Sequence, residues 1–279
     1  MRPKLKRAIR LAGMRPEPRL GARKAVDLRG KRILVTGASS GIGEAAAEKL
    51  AAAGAVVTIV ARRGLLLEEI AQRIAARGGT AIAMEANLAD LDAVDDLVER
   101  AGPIDILINN AGRSIRRPLT ESLERWHDLE RTMALNYFAP MRLIRGLAPG
   151  MLQRGDGHII NVASWRVLPK ASPLFGPYIA SKAALSAMSR DIDSEWEHLG
   201  VDATTIYYPL VATPMMAPTR AYDGLAALSV DDASEWMVTA ARTRPMRIAP
   251  RMALSAMALD VVAPGLVNRM LRNPPIAPE

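Results

Sequence analysis

The chain has 279 residues, 49% hydrophobic and 24% charged, which allows one large domain or two small ones and excludes disorder by composition. It has no cysteine, which excludes disulfides, thiolate metal sites, iron–sulfur clusters and a cysteine nucleophile. The net charge of +8 lies at one end: residues 1–32 hold twelve Lys or Arg and two acids, so the remainder sums to −2, which argues against a nucleic-acid-binding body.

The basic segment 1–29 reads as an arm, either a solvated tail or a contact with anionic lipid or an acidic partner. No apolar stretch follows it, as a secretory signal requires, and residues 1–32 lack the serines of a transit peptide. The longest uncharged run, 203–219, contains prolines and is slightly too short to span a bilayer. The expected location is cytoplasmic, with peripheral membrane contact through the arm or the apolar tail.

From Lys31 onward, strand-like runs alternate with helical patterns. The strands are ILVTG (33–37), AVVTIVA (55–61), AIAMEAN (81–87), IDILINN (104–110), HIINVAS (158–164) and DATTIYYPL (202–210). Helical patterns fall between them at 41–53, 65–77, 91–100, 122–153 and 178–198, and Gly78-Gly79 stops the second. Near-continuous apolar strands separated by helices predict a single-domain α/β fold, a Rossmann-like doubly wound parallel sheet over 30–250. Residues 251–279 form an apolar helix and tail. In such a sheet, ligands sit outside the carboxyl ends of the strands. Here those ends read TGASSGIG, ARR, AN, NNAG, VAS and YPLVATP.

The first end carries Gly37, Ser39, Ser40, Gly41, Ile42 and Gly43. Glycines let a backbone turn tightly and approach a pyrophosphate at the start of the next helix. The spacing G-x-x-x-G-x-G differs from the common dinucleotide fingerprint, and no Lys-Ser/Thr follows as in a triphosphate loop. At the second end stand Arg62 and Arg63 where an acid would accept from ribose hydroxyls. A guanidinium pairs with a 2′-phosphate, so the expected cofactor is NADPH rather than NADH. The alternative is two solvated arginines.

Tyr178 and Lys182 are four apart at the start of a helix, on one face. A tyrosine of ordinary pKa near 10 is a poor acid–base catalyst, and a neighbouring ammonium favours its phenolate. Ser164 ends the preceding strand and is placed to bond the same substrate oxygen; Asn136, mid-helix, is placed to support a proton-relay water.

TGASSGIG, NNAG, Asn136, Ser164 and YIASK, in this order, resemble the short-chain dehydrogenase/reductase superfamily over about residues 28–250. The resemblance implies Asn136, Ser164, Tyr178 and Lys182 as a catalytic tetrad. It implies Asn87 and Leu88 beside the adenine, Asn109, Ala111 and Gly112 along the cofactor trough, and Thr213 on the carboxamide or phosphate. It also implies homodimers or homotetramers through the helix beginning at Tyr178. Leu210 departs from the glycine usual after Pro209.

NNAGRSIRR, ERTMALNYF, PLVATPMMAPT and RPMRIAP are similar to the bacterial long-chain fatty acyl-CoA reductases of that superfamily. This implies NADPH-dependent reduction of acyl-CoA to fatty aldehyde. Other readings are reduction of another ketone or aldehyde, or a non-catalytic nucleotide-binding scaffold. Arg113, Arg116 and Arg117 are either a clamp for coenzyme A phosphates or a solvated loop. Met215, Met216 and Ala217 suit a substrate lid or ordinary packing, and Trp165 and Phe175 flank the catalytic residues. His127, His158 and His198 lack metal-ligand spacing, so no metal is expected.

Overall fold

Residues 12–17, 25–169, 171–216, 222 and 224–272 are described by a computed structural model. The elements, in chain order, are β1 (Arg32–Thr36), α1 (Gly41–Ala52), β2 (Val56–Ala61), α2 (Gly64–Ala76), β3 (Thr80–Glu85) and α3 (Leu91–Ala101). There follow β4 (Ile106–Asn109), α4 (Leu119–Ser122), α5 (Trp126–Met133), a π-helix (Ala134–Phe138), α6 (Ala139–Arg154), β5 (Gly157–Ser164) and α7 (Gly176–Trp196). The last are β6 (Val201–Tyr208), α8 (Val230–Thr243), β7 (Arg247–Ile248), α9 (Arg251–Val262) and α10 (Pro264–Arg272).

The strands pair in the order β3-β2-β1-β4-β5-β6-β7, all parallel. Every residue of β4, β5 and β6 is buried, as a sheet covered on both faces requires. Alternate residues feed opposite cores. Ile33 and Val35 meet α1, α2 and α8 through Leu50, Ile70 and Met237. Leu34 faces α3, α6 and α7 through Leu97, Leu143 and Ile192. The chain builds outward from β1 to β3, then returns to β4 on the other side. The sheet therefore reverses between β1 and β4, and a ligand crevice opens above their carboxyl ends.

The helical pattern at 122–153 is not one helix. It divides into α5, the π-helix and α6, which closes at Gly155 with a left-handed φ of 63°. Helix α8 and the short β7 add to the elements read from sequence.

Residues 15–17 meet residues 247–251. Pro16 bridges Pro250, the Glu17 amide donates to the Ala249 carbonyl at 2.9 Å, and the Arg251 amide donates to the Arg15 carbonyl at 3.1 Å. The Glu17 carboxylate accepts from Arg247 at 3.0 Å. Residues 12–17, part of the predicted arm, are thus tied to the body. The arm's other segments, 1–11 and 18–24, lie outside the described residues, and so does any membrane contact made through them. Among the described residues no helix is long and apolar enough to cross a membrane.

Candidate active site

The glycine turn after β1 folds down onto the end of β4. Gly37 has a φ of +66°, and a Cβ there would lie 2.8 Å from Ala111 Cα. A Cβ on Gly43 would lie 2.5 Å from the Gly37 carbonyl oxygen. Larger residues do not fit. Thr36 Oγ1 accepts from the Asn110 and Ala111 amides, both at 3.0 Å. Asn110 Nδ2 donates back to the Thr36 and Gly37 carbonyls at 2.9 and 3.3 Å. The crevice floor is therefore backbone, and it suits a dinucleotide's pyrophosphate.

A cavity of about 820 Å³ runs over this floor. Gly37, Ser39, Ser40, Gly41, Ile42, Arg62, Arg63, Asn87, Leu88, Ala111, Gly112 and Thr213 all line it. Arg63 is engaged with the turn: it donates to Ser39 Oγ at 2.8 Å and to Ser40 Oγ at 3.0 Å. Arg62 is exposed at the lip. Gly43 lies just behind, packed on Gly37. Asn109 is not in the wall; it is buried in the sheet and donates to Asn161 Oδ1 at 2.9 Å. Its neighbour Asn110 faces the cleft instead. Leu210 also lines the cavity, and its carbonyl accepts from the Leu228 amide at 2.8 Å.

Ser164, Tyr178 and Lys182 converge on the same cavity. Ser164 is the last residue of β5, and Tyr178 and Lys182 occupy successive turns of α7. Lys182 is buried and its Nζ donates to the Val162 carbonyl at 2.8 Å. Burial pulls its pKa down to about 8. Burial also pushes Tyr178 up to about 12, against a hydrogen bond with Ser164 and the charge of Arg166 that pull it down. Desolvation thus dominates, and Lys182 is not among the groups that pull the phenol down. The phenol is neutral at neutral pH and holds a proton it can donate.

Asn136 sits in the π-helix, fully buried and outside the cavity wall. Its Nδ2 donates to the Arg113 carbonyl and to Ser181 Oγ, both at 3.0 Å, while its Oδ1 accepts from the Arg113 amide at 2.9 Å. Ser181 Oγ in turn donates to the Tyr178 carbonyl at 2.7 Å. The amide therefore ties the loop after β4 to the first turn of α7. A π-helix commonly marks a functional position.

Arg113 and Arg116 line the cavity, but Arg117 does not: its Nε lies 3.5 Å from the buried Asp128 carboxylate. Trp165, Phe175, Met215 and Met216 line it as well, while Ala217 lies outside the described residues. His158 is an interior residue bonded to Thr204 at 2.8 Å. Several residues of the site escape a reading of the sequence: Asn110, Arg166 and Tyr222 in the cleft wall, and Ser181 buried behind it. The Arg166 guanidinium lies 5.5 Å from the Trp165 ring centre and 5.2 Å from that of Phe175, and donates to Ser172 Oγ at 3.1 Å. Burial lowers its pKa. Its position two residues past Ser164 was the only signal available.

Comparison with known proteins agrees with this geometry. The family described as short chain dehydrogenase matches residues 31–223. A fatty acyl-CoA reductase of Mycobacterium tuberculosis is 64% identical over 95% of this chain and 94% of its own. A fatty acyl-CoA reductase of Acinetobacter baylyi is 45% identical over 88% of this chain and 84% of its own. Among solved structures, a short-chain dehydrogenase from Sphingobium yanoikuyae in complex with NADPH superposes with a TM-score of 0.74 at 28% identity. That match covers 85% of this chain and 95% of the other.

Proposed function

Since the chain belongs to the short chain dehydrogenase family and is an oxidoreductase, we propose that it uses NADPH to reduce long-chain fatty acyl-CoA to the aldehyde. The observation that carries the reading is the convergence of Ser164, Tyr178 and Lys182 on one cleft. Two relatives alike over most of the chain are named fatty acyl-CoA reductases, which supports the substrate. Arg62 at the lip and a solved relative holding NADPH support the cofactor.

The glycine turn would hold the pyrophosphate, and Arg62 the 2′-phosphate. Bound there, NADPH supplies a hydride to the carbonyl carbon. Ser164 Oγ and the Tyr178 hydroxyl donate hydrogen bonds to the thioester carbonyl oxygen, where negative charge develops. Tyr178 then gives that oxygen its proton, and the Lys182 ammonium favours the phenolate left behind. The product is a hemithioacetal. Its hydroxyl loses a proton, the C–S bond breaks, and the sulfur leaves as the free thiol of coenzyme A. Transfer of the acyl group to an enzyme cysteine has no acceptor in this chain. Arg113 and Arg116 would pair with the coenzyme A phosphates.

The test is release of free thiol in step with NADPH oxidation, across acyl-CoAs from octanoyl to stearoyl. Stoichiometric release with aldehyde identified by mass is expected. No release with any of them, alongside reduction of simple ketones or aldehydes, would make the chain a general carbonyl reductase.

A further inference from the structure

Residues from near both ends of the described chain reach the cavity. Met14 is 7% exposed and lines it, together with Met252, Met270 and Leu271 of α9 and α10. Met252 also packs on the N-terminal segment: a Cβ on Gly13 would lie 3.3 Å from Met252 Cβ. The Pro16–Pro250 bridge and the Glu17–Arg247 pair hold the two segments together. They sit beside β7, the edge strand next to β6. There Ala163, Tyr207 and Ala249 form a small core that Trp165, Val167, Leu168 and Leu254 complete. Helix α9 thus packs against the segment that follows Ser164. The arginines Arg113 and Arg116 come from a different wall, the loop after β4.

We propose that the segment 12–17 and the helices α9 and α10 together build the subsite for an unbranched alkyl chain, running from the carbonyl at Ser164 and Tyr178 toward Met14, Met252 and Met270. It rests on the reading of the site as a long-chain acyl reductase, and it names which wall takes the tail. The four lining residues are uncharged and apolar, and they line the same cavity as Ser164 and Tyr178. Methionine is unbranched and polarisable, so it conforms to a flexible chain better than a branched side chain does. The charged headgroup and the tail then leave the reacting carbon along separate walls.

Binding tests this without relying on turnover. Parinaryl alcohol, a linear fluorescent alcohol, is bound to the full-length protein with NADP and displaced by butanol, octanol and dodecanol. Affinity should rise roughly fourfold per methylene until the subsite is filled. In Met252→Trp the rise should stop at a shorter alcohol, so that the dodecanol-to-butanol affinity ratio collapses by at least about tenfold, the equivalent of two lost methylenes. Met14→Glu should lower the ratio as well, and NADPH binding reports that each variant is folded. An unchanged ratio in both folded variants would overturn the proposal, as would affinity independent of length in the parent. If the parent releases no thiol from any acyl-CoA but the alcohols still rank by length, the acyl-CoA reading fails and the subsite stands.

Discussion

Lys182 stands charged in a place that resists charge. Its pKa falls from 10.5 to about 8, so the folded state binds that proton less readily than the unfolded one. The resulting cost to stability is fully present below about pH 8 and disappears as pH rises from there through 10.5. Lys182→Met should therefore raise the melting temperature at neutral pH while abolishing activity, and its advantage should shrink above about pH 8. A melting temperature unchanged across that range would refute the argument. Tyr178→Phe keeps the packing and removes the donated proton; single-turnover rates should drop at least about 100-fold. Arg62→Ala should weaken NADPH by roughly 1.5–3 kcal/mol and leave NADH nearly unchanged, by titration of both. These three side chains were legible because each sits at a strand end or on one helical face. Asn109 and Asn110 were not separable: the residues are identical and adjacent. Side chains alternate along a strand, so one turns into the sheet and the other into the cleft, and only the register says which.

At the scale of the element, one buried carboxylate in α5 gathers three guanidiniums. Asp128 is buried and accepts from Arg125 Nε at 2.9 Å, with Arg131 and Arg117 also on it. Its hydrogen bond with Arg125, aided by one with Arg131, holds its pKa at about 2. The folded pKa lies below the ordinary 3.8, so this stability is present above 3.8 and is lost as pH falls toward about 2. Asp128→Asn should cost roughly 1–2 kcal/mol at neutral pH, because the half-exposed guanidiniums are screened by water. In urea titrations the gap between variant and parent should close as pH falls from about 4 to 2. A gap constant with pH would count against the carboxylate. The π-helix beside α5 was illegible because its residues carry an ordinary helical pattern. Helix α8 did leave a signal. Ser229 caps it, its hydroxyl accepting from the Asp232 amide at 3.0 Å, and Ala233, Trp236, Met237 and Ala240 recur at helical spacing.

Across the whole molecule, the alternation of apolar strands and helices was enough to read a parallel sheet. The strand order was not, since buried strands of similar composition pair equally well with several neighbours. The meeting of residues 15–17 with residues 247–251 was hidden for another reason. Pro16 and Pro250 carry no periodic pattern, and their pairing follows from where β7 happens to end. The Glu17–Arg247 pair is partly exposed, so it should stabilise by no more than about 1 kcal/mol. Glu17→Gln should then speed unfolding up to about fivefold and leave the folding rate alone, if this contact is absent from the folding transition state. Stopped-flow chevrons decide this, and a slowed folding arm would place the contact in the nucleus.

The clasp between these two segments also fixes an order in time. Residues 14–17 are synthesised long before their partners at 247–252. Closing a loop of that length costs entropy that nearer pairings must first repay. Strands β1 to β4 can assemble, and with them the glycine turn, while residues 14–17 still wait for their partners. A newly made molecule would then be able to grip a nucleotide before it could enclose an alkyl tail.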